Sequence, residues 1–402
     1  MLTKTLIAAA LLTTTSGAAM AGQMSQSPEA IQRQMQELID QNRLLSQRVG
    51  ELEGKMTETS SRTAEQLKAL ETREEKTDPA KISDYVTLSG VIEVEMAAGE
   101  DFAGDNFSSF DLATAELGLD IKATDWAAGR LLLKYEDADD EDHFFIDEAF
   151  ILLGDTERFP LSLTAGKFYM PFGNFATNMI SDPLTLEIGE INDAGLSLGF
   201  ESHGFSAALY GYKGMNETGS SDTIKGFGAM AGYGYKQDAF SVNGGLSWIN
   251  NIADSDGVMA DAFDEAGLDS IQQHIGGLGA HLGIGYGPVS LIGEYIRALD
   301  RFAFEEVPFL DRGAEPDAWN VELAYTMELL NRETVFAVGW QKSGEALALG
   351  LPESRYLGSI GMEILPMTTL TLEYARDRDY NEADGGSNEK AHVATAQLAY
   401  QF

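Results

Sequence analysis

His392-Val393-Ala394-Thr395-Ala396-Gln397-Leu398-Ala399-Tyr400-Gln401-Phe402 is the stretch whose reading decides the fold. Ala394, Ala396, Leu398, Tyr400 and Phe402 share one face, and Thr395, Gln397 and Gln401 share the other. Side chains of a strand alternate between two faces, so a period of two marks an extended segment with one apolar side. The apolar side runs into two aromatic residues at its end.

The same alternation recurs upstream to Val86. Leu88, Gly90, Ile92, Val94 and Met96 oppose Glu93 and Glu95. Ala113, Ala115, Leu117, Leu119 and Ile121 oppose Thr114, Glu116, Asp120 and Lys122. Trp319, Val321, Leu323, Tyr325 and Met327 oppose Asn320, Glu322, Thr326 and Glu328. Tyr356, Ile360, Met362 and Ile364 oppose Arg355, Ser359 and Glu363, and Leu370, Leu372 and Tyr374 oppose Thr371 and Glu373. Two packed sheets in a soluble sandwich would also alternate. Three features favour a transmembrane barrel instead: strands of ~9–12 residues, apolar faces that end in Tyr, Trp or Phe, and connections that alternate short and long. Sixteen antiparallel strands are expected, beginning near 86, 110, 127, 144, 161, 194, 204, 224, 239, 274, 288, 317, 332, 353, 367 and 390. The fold class is thus an all-β transmembrane barrel over 81–402, with Phe402 closing a last strand that resembles the assembly signal of outer-membrane proteins.

The first residues carry a different signal. Lys4, the apolar run Leu6 to Leu12 and the small-x-small site Ala19-Met20-Ala21 have the three-part layout of a secretory signal over 1–21. The run is too short to span ~30 Å of hydrocarbon. Residues 22–80 then read as a coiled coil and linker. Ile31, Leu38, Leu45 and Leu52 are seven apart, and Met35, Asn42 and Val49 fill the alternate core position. Such a stripe buries against another helix, and a lone core Asn sets register. A single amphipathic helix is the other reading. An even strand count places this segment in the periplasm, within reach of peptidoglycan or another partner.

Composition narrows the function classes. Asp and Glu number 64 against 27 Lys and Arg, a net charge of −37. Nucleic acid as a partner needs a basic surface, so it is excluded. Cysteine is absent. Gly195-Leu196-Ser197-Leu198-Gly199 matches a hydrolase pattern but sits in an alternating strand rather than a strand–turn–helix. His274 and His281 lack the spacing of a local metal pair. No catalytic residue, metal site or cofactor is expected, and the chain reads as a non-enzyme.

Sixteen strands enclose a lumen wide enough for water. The long connection after the fifth strand is the candidate for an inward constriction, with Tyr169, Phe172, Asn174, Asn178, Asp182, Glu187, Glu190 and Asp193 as its candidate residues. The faces opposite the apolar ones put Glu93, Glu95, Glu116, Asp120, Glu322, Glu363 and Glu373 in the lumen, with Arg130 and Lys134 among them. Rings of acid favour cations.

One resemblance rests on Ala165-Gly166-Lys167-Phe168-Tyr169-Met170-Pro171-Phe172-Gly173, then Ser181-Asp182-Pro183-Leu184-Thr185-Leu186-Glu187-Ile188-Gly189-Glu190, then Asn192-Asp193-Ala194-Gly195-Leu196. With the overall layout, these segments resemble the LbtU-type siderophore porins. The resemblance implies an outer-membrane barrel with an N-terminal coiled coil and facilitated diffusion of a ferric siderophore or similar chelate. Outer-membrane lipid, lipopolysaccharide and further copies of the chain are the implied neighbours. A porin of other selectivity and an envelope tether remain as alternatives.

Overall fold

The computed structural model describes residues 85–138, 141–214, 224–268 and 270–402. The expected signal peptide and coiled coil lie outside the described residues.

Strands β1 (Val86–Glu100), β2 (Asn106–Thr124), β3 (Ala127–Ala138), β4 (Glu141–Leu153), β5 (Leu161–Tyr169), β6 (Asn192–Ser202), β7 (Phe205–Tyr212), β8 (Gly226–Gln237), β9 (Phe240–Ile249), β10 (Gly277–Tyr286) and β11 (Val289–Ala298) follow in order. Strands β14 (Asp317–Leu329), β15 (Arg332–Gly344), β16 (Ser354–Leu365), β17 (Thr368–Arg378) and β18 (Lys390–Gln401) complete a closed antiparallel barrel of sixteen strands. Two short strands, β12 (Pro308–Phe309) and β13 (Arg312–Gly313), pair as a hairpin inside one long loop. The expected count of sixteen is met, and the largest displacement of a start is at β2, which begins at Asn106 rather than 110. Closure matters because hydrocarbon offers no partner to an unpaired strand edge.

One end of the barrel carries tight turns. Leu330 and Asn331 both have positive φ (55° and 58°), the mirror-image turn that matches strand twist. His203, Asp238, Gly287 and Met367 also take positive φ within their turns. The other end carries the long connections. Aromatic side chains ring the outer face at both ends. Trp126, Phe205, Tyr233, Tyr286, Tyr400 and Phe402 are exposed near the short turns, and Phe110, Phe227, Trp248, Trp319 and Tyr374 near the long loops. Between the rings the exposed face is Leu, Ile, Val and Met, among them Leu196, Leu209, Leu246, Val338 and Leu372. This is the outward band of a membrane barrel.

Bulges keep that alternation in phase. Ala113 is the extra residue where the β1–β2 register shifts, and Asp147 is the extra residue between β3 and β4. Because of the second bulge, adjacent Asp147 and Glu148 both leave the outer face, and Asp147 is buried.

The lumen is not hollow at the long-loop end. Phe172, Leu184, Ile188, Ile252, Met259, Phe263, Phe302 and Val307 form one buried apolar cluster with Tyr212 and Ile296 of the wall. The helices α1 (Leu184–Gly189) and α2 (Val258–Glu265) belong to it. The alternation that marks the strands gives no sign of these helices: the sequence points to an inward constriction at the first and to a long connection at the second. In α1, Leu184 and Ile188 are one turn apart and buried together. The helix ends where Glu190 takes extended φ and ψ.

Closure is set by β1 and β18. Phe402 N donates to Gly90 O at 3.0 Å, and Gly90 N donates to Phe402 O at 2.9 Å. A Cβ on Gly90 would stand 2.3 Å from Phe402 Cζ, so only glycine lets that ring lie flat on β1. Gly90→Leu is expected to destabilise the barrel by about 1–3 kcal/mol through overpacking. Gly293→Ala, whose Cβ meets nothing nearer than Leu282 O at 4.0 Å, is expected to change stability by under ~0.5 kcal/mol. Thermal unfolding followed by migration in SDS gels checks both; equal stability of the two variants would refute the assignment.

Candidate functional site

After Tyr169 the chain leaves the wall and crosses the lumen before rejoining it at Asn192. This segment has no strand to pair with, so its backbone N–H groups need other acceptors. Three carboxylates on three different strands supply them. Glu294 of β11 accepts from Asn174 N (2.6 Å), Phe175 N (3.0 Å) and Thr185 Oγ1 (2.9 Å). Glu322 of β14 accepts from Thr177 Oγ1 (2.8 Å), Asn178 N (2.9 Å) and Asn178 Nδ2. Glu373 of β17 accepts from Ile180 N (2.6 Å), Ser181 N (3.3 Å) and Ser181 Oγ. Three strands can reach one segment only from inside the barrel. Further bonds run from Gly173 N to Ser247 Oγ (3.1 Å), Leu184 N to Gln341 Oε1 (3.3 Å) and Ser359 Oγ to Asn178 O (3.0 Å).

This geometry corrects part of the sequence reading. Alternation puts Glu322 and Glu373 among the open lumen acids. They are 1% and 4% exposed because the loop covers them. Phe172 does not line the pore; it is 1% exposed in the apolar cluster. Asn178 points at the wall. Tyr169 and Asp193 are strand residues, not loop: the Tyr169 hydroxyl donates to Asp147 at 3.1 Å, and Asp193 accepts from Gly214 N at 2.7 Å. Asn174 gives its backbone N–H to the wall while its side chain stays exposed.

The loop's bonds run to β9, β11 and β14 to β17, and β1 to β4 form the wall across the lumen. There β1 to β4 carry Glu93, Glu95, Glu116, Asp120, Arg130, Lys134 and Glu148. Arg130 sits between Asp120 (3.2 Å) and Glu148 (2.7 Å). Gln397 donates to Glu95 at 2.9 Å. Arg355 holds Asp377 through two bonds of 2.8 and 2.9 Å. Glu363 lies apart from these, exposed near a short turn.

Asp182, Glu187 and Glu190 of the loop gather near Asp256 of the β9–β10 connection, whose N–H donates to Glu190 O at 3.1 Å. Burial pushes the Glu190 carboxyl up to about 8, reinforced by Asp256 and Asp182 and opposed by Lys134. The surrounding protein likewise pushes Asp256 up to about 6, although that residue keeps contact with water. Burial and the neighbouring Asp182 raise Glu187. Desolvation of a carboxylate among other acids favours its neutral form. The charge of this constriction therefore varies across ordinary pH.

Sequence reasoning missed Glu294, Asp147, Glu148 and Asp256. Glu294 shares its inward face with apolar Ile292 and Ile296, so alternation gave no acidic stripe. Adjacent Asp147 and Glu148 were the available signal, since two successive acids in a strand require a bulge to share a face.

Each bond to a charged acceptor contributes about 1.5–3 kcal/mol, and removing the acceptor leaves buried N–H groups unpaired. Glu322→Ala is expected to loosen the loop, raising single-channel conductance and opening residues 174–182 to protease. Glu363→Ala is expected to do neither. Unchanged conductance and protection in Glu322→Ala would count against the clasp.

No family model matches the chain. A UPF0422 protein of Coxiella burnetii is 31% identical over 322 residues, covering 78% of this chain and 69% of that protein. A UPF0422 protein of Legionella pneumophila (strain Lens) is 26% identical over 365 residues, covering 79% and 66%. Among solved structures, the outer membrane channel DcaP of Acinetobacter baumannii aligns with TM-score 0.54 at 14% identity, covering 79% of this chain and 97% of that one. Pseudomonas putida OprB aligns with TM-score 0.56 at 12% identity, covering 82% and 97%. An anion-selective porin from Comamonas acidovorans aligns with TM-score 0.54 at 14% identity, covering 79% and 99%. At these identities what is shared with the solved channels is the porin-like barrel fold. The Coxiella match carries more, and by it the chain belongs to the UPF0422 protein family.

Proposed function

We propose that the protein is a bacterial outer-membrane porin passing small solutes by facilitated diffusion, with a ferric siderophore as its main permeant. The observation that carries the channel reading is the inward loop clasped by Glu294, Glu322 and Glu373. A barrel serving only as an anchor has no need of a pinned constriction. The siderophore part rests on the resemblance of the 165–196 region. The acidic passage adds a condition: neutral or cationic chelates pass more readily than polyanionic ones. Anion selectivity does not carry over from the Comamonas porin, since the acids here are of the wrong sign for it.

The long-loop end faces the outside and the short turns face the periplasm. Lipid and lipopolysaccharide contact the outward band. The heptad stripe from Ile31 to Leu52 favours a homo-oligomer, and it also supports a second reading, an envelope tether that grips peptidoglycan or a partner.

The full chain refolded into liposomes and planar bilayers tests this, with ferric siderophores, phosphate and sugars as competing solutes. Stable open current and uptake of a ferric siderophore are expected. The cation-over-anion preference is expected to rise from about pH 6 to about pH 9 as Asp256 and then Glu190 ionise. Glu190→Gln is expected to flatten the upper part of that rise. A large current indifferent to chelates would overturn the siderophore assignment, and no current would leave the tether.

A further inference from the structure

Beneath the loop, on the side of the short turns, the inner face of β8 to β11 lines an open-sided pocket of about 530 Å³. Its roof is Asn174 and Ala176 of the loop. Its polar lining differs in kind from the acidic passage across the lumen. Asn243, His281, Ser241 and Ser290 line it, and Lys236 stands near the turn. The one carboxylate in the lining, Glu294, is engaged by the loop amides and Thr185. Among the described residues, no protein hydrogen bond engages the side chains of Asn243, His281, Ser241 or Ser290.

Glycine sets how these groups are held. On Gly283, a Cβ would stand 2.0 Å from Asn243 Oδ1. On Gly285 it would stand 2.5 Å from Ser241 Oγ, and on Gly245 it would stand 2.7 Å from His281 Cε1. In the register Asn243 faces Gly283, Ser241 faces Gly285 and His281 faces Gly245. Each polar side chain thus lies across a glycine of the neighbouring strand, flat along the wall. A backbone without Cβ lets both the side chain and an incoming solute approach closely. The repeated pairing of polar residue with glycine makes a trough instead of a bristle of side chains.

Amide, imidazole and hydroxyl groups both donate and accept, as sugar hydroxyls do. A pocket of about 300–1,000 Å³ suits a small ligand. We propose that this glycine-backed trough is a binding subsite for a neutral polyhydroxylated solute of about disaccharide size, on the exit side of the constriction. The inference rests on the channel reading for its access but not for its recognition chemistry.

Saturation-transfer NMR of sucrose with the detergent-solubilised full chain tests it, beside KCl conductance of the same preparation. Transfer to sucrose is expected, with affinity about fivefold weaker in Asn243→Ala, the loss of roughly one hydrogen bond. Gly283→Ala is expected to weaken it as well by displacing the Asn243 amide. Migration in SDS gels establishes that each variant is folded, and Asn243→Ala alone suffices if Gly283→Ala is not. Inorganic phosphate is expected not to compete. Absent transfer, equal affinity in Asn243→Ala, or displacement by phosphate at Lys236 would overturn the subsite. Transfer without conductance would overturn the channel and keep the subsite; conductance without transfer would do the reverse.

Discussion

Fifteen or more residues cross this lumen without a strand beside them, and their N–H groups must be satisfied inside a membrane-spanning wall. Irregular backbone at membrane depth persists only where protein or a water-filled cavity meets it. Here the partners are carboxylates. A carboxylate accepts several bonds at once, and charge-assisted acceptors are the stronger ones. Glu294, Glu322 and Glu373 each take three donors from the loop. The clasp explains why acids occupy wall positions that the loop then covers.

The clasp also divides the interior. The loop, α1, α2 and the β12–β13 hairpin build an apolar core of the kind found in soluble domains, seated on wall residues of β5, β7, β9, β11 and β14. On the side of β1 to β4 the wall stays polar and acidic. A barrel of this strand number could hold a wide aqueous channel. The loop and the packed core fill part of that width, and under the proposed channel function Glu190, Asp256 and the β1–β4 acids would set the charge of what stays open. Beneath the loop, the glycine-rich face of β8 to β10 leaves neutral polar groups. One lumen thus carries clustered acids at the level of the loop and neutral hydrogen-bonding groups beneath it.

The barrel was legible because every strand repeats one physical pattern, apolar out and polar in, and every short turn interrupts it. Strand starts at 86, 127, 161, 317, 332 and 390 coincide with the structure. The interior was less legible because alternation reports only which face a residue takes, not what covers it. Glu322 and Glu363 carry the same signal, yet one is covered by the loop and the other is exposed. Glu294 gave no stripe at all, since Ile292 and Ile296 flank it on the same face. Phe172 and Asn178 look alike as loop residues, but the apolar cluster takes one and Glu322 the other. Their placement depends on contacts more than a hundred residues away in sequence, which no local pattern encodes.

The central claim is that wall carboxylates hold the loop at one place in the lumen. The chain has no cysteine, so spin labels can be set at single introduced pairs. The direct measurement is the distance between labels at Ala176→Cys in the loop and Thr114→Cys on the β2 wall, in lipid. The account predicts one narrow distribution that broadens when Glu294 and Glu322, whose bonds flank residue 176, are both replaced by alanine. A broad distribution from the outset, or a narrow one indifferent to the two replacements, would contradict it.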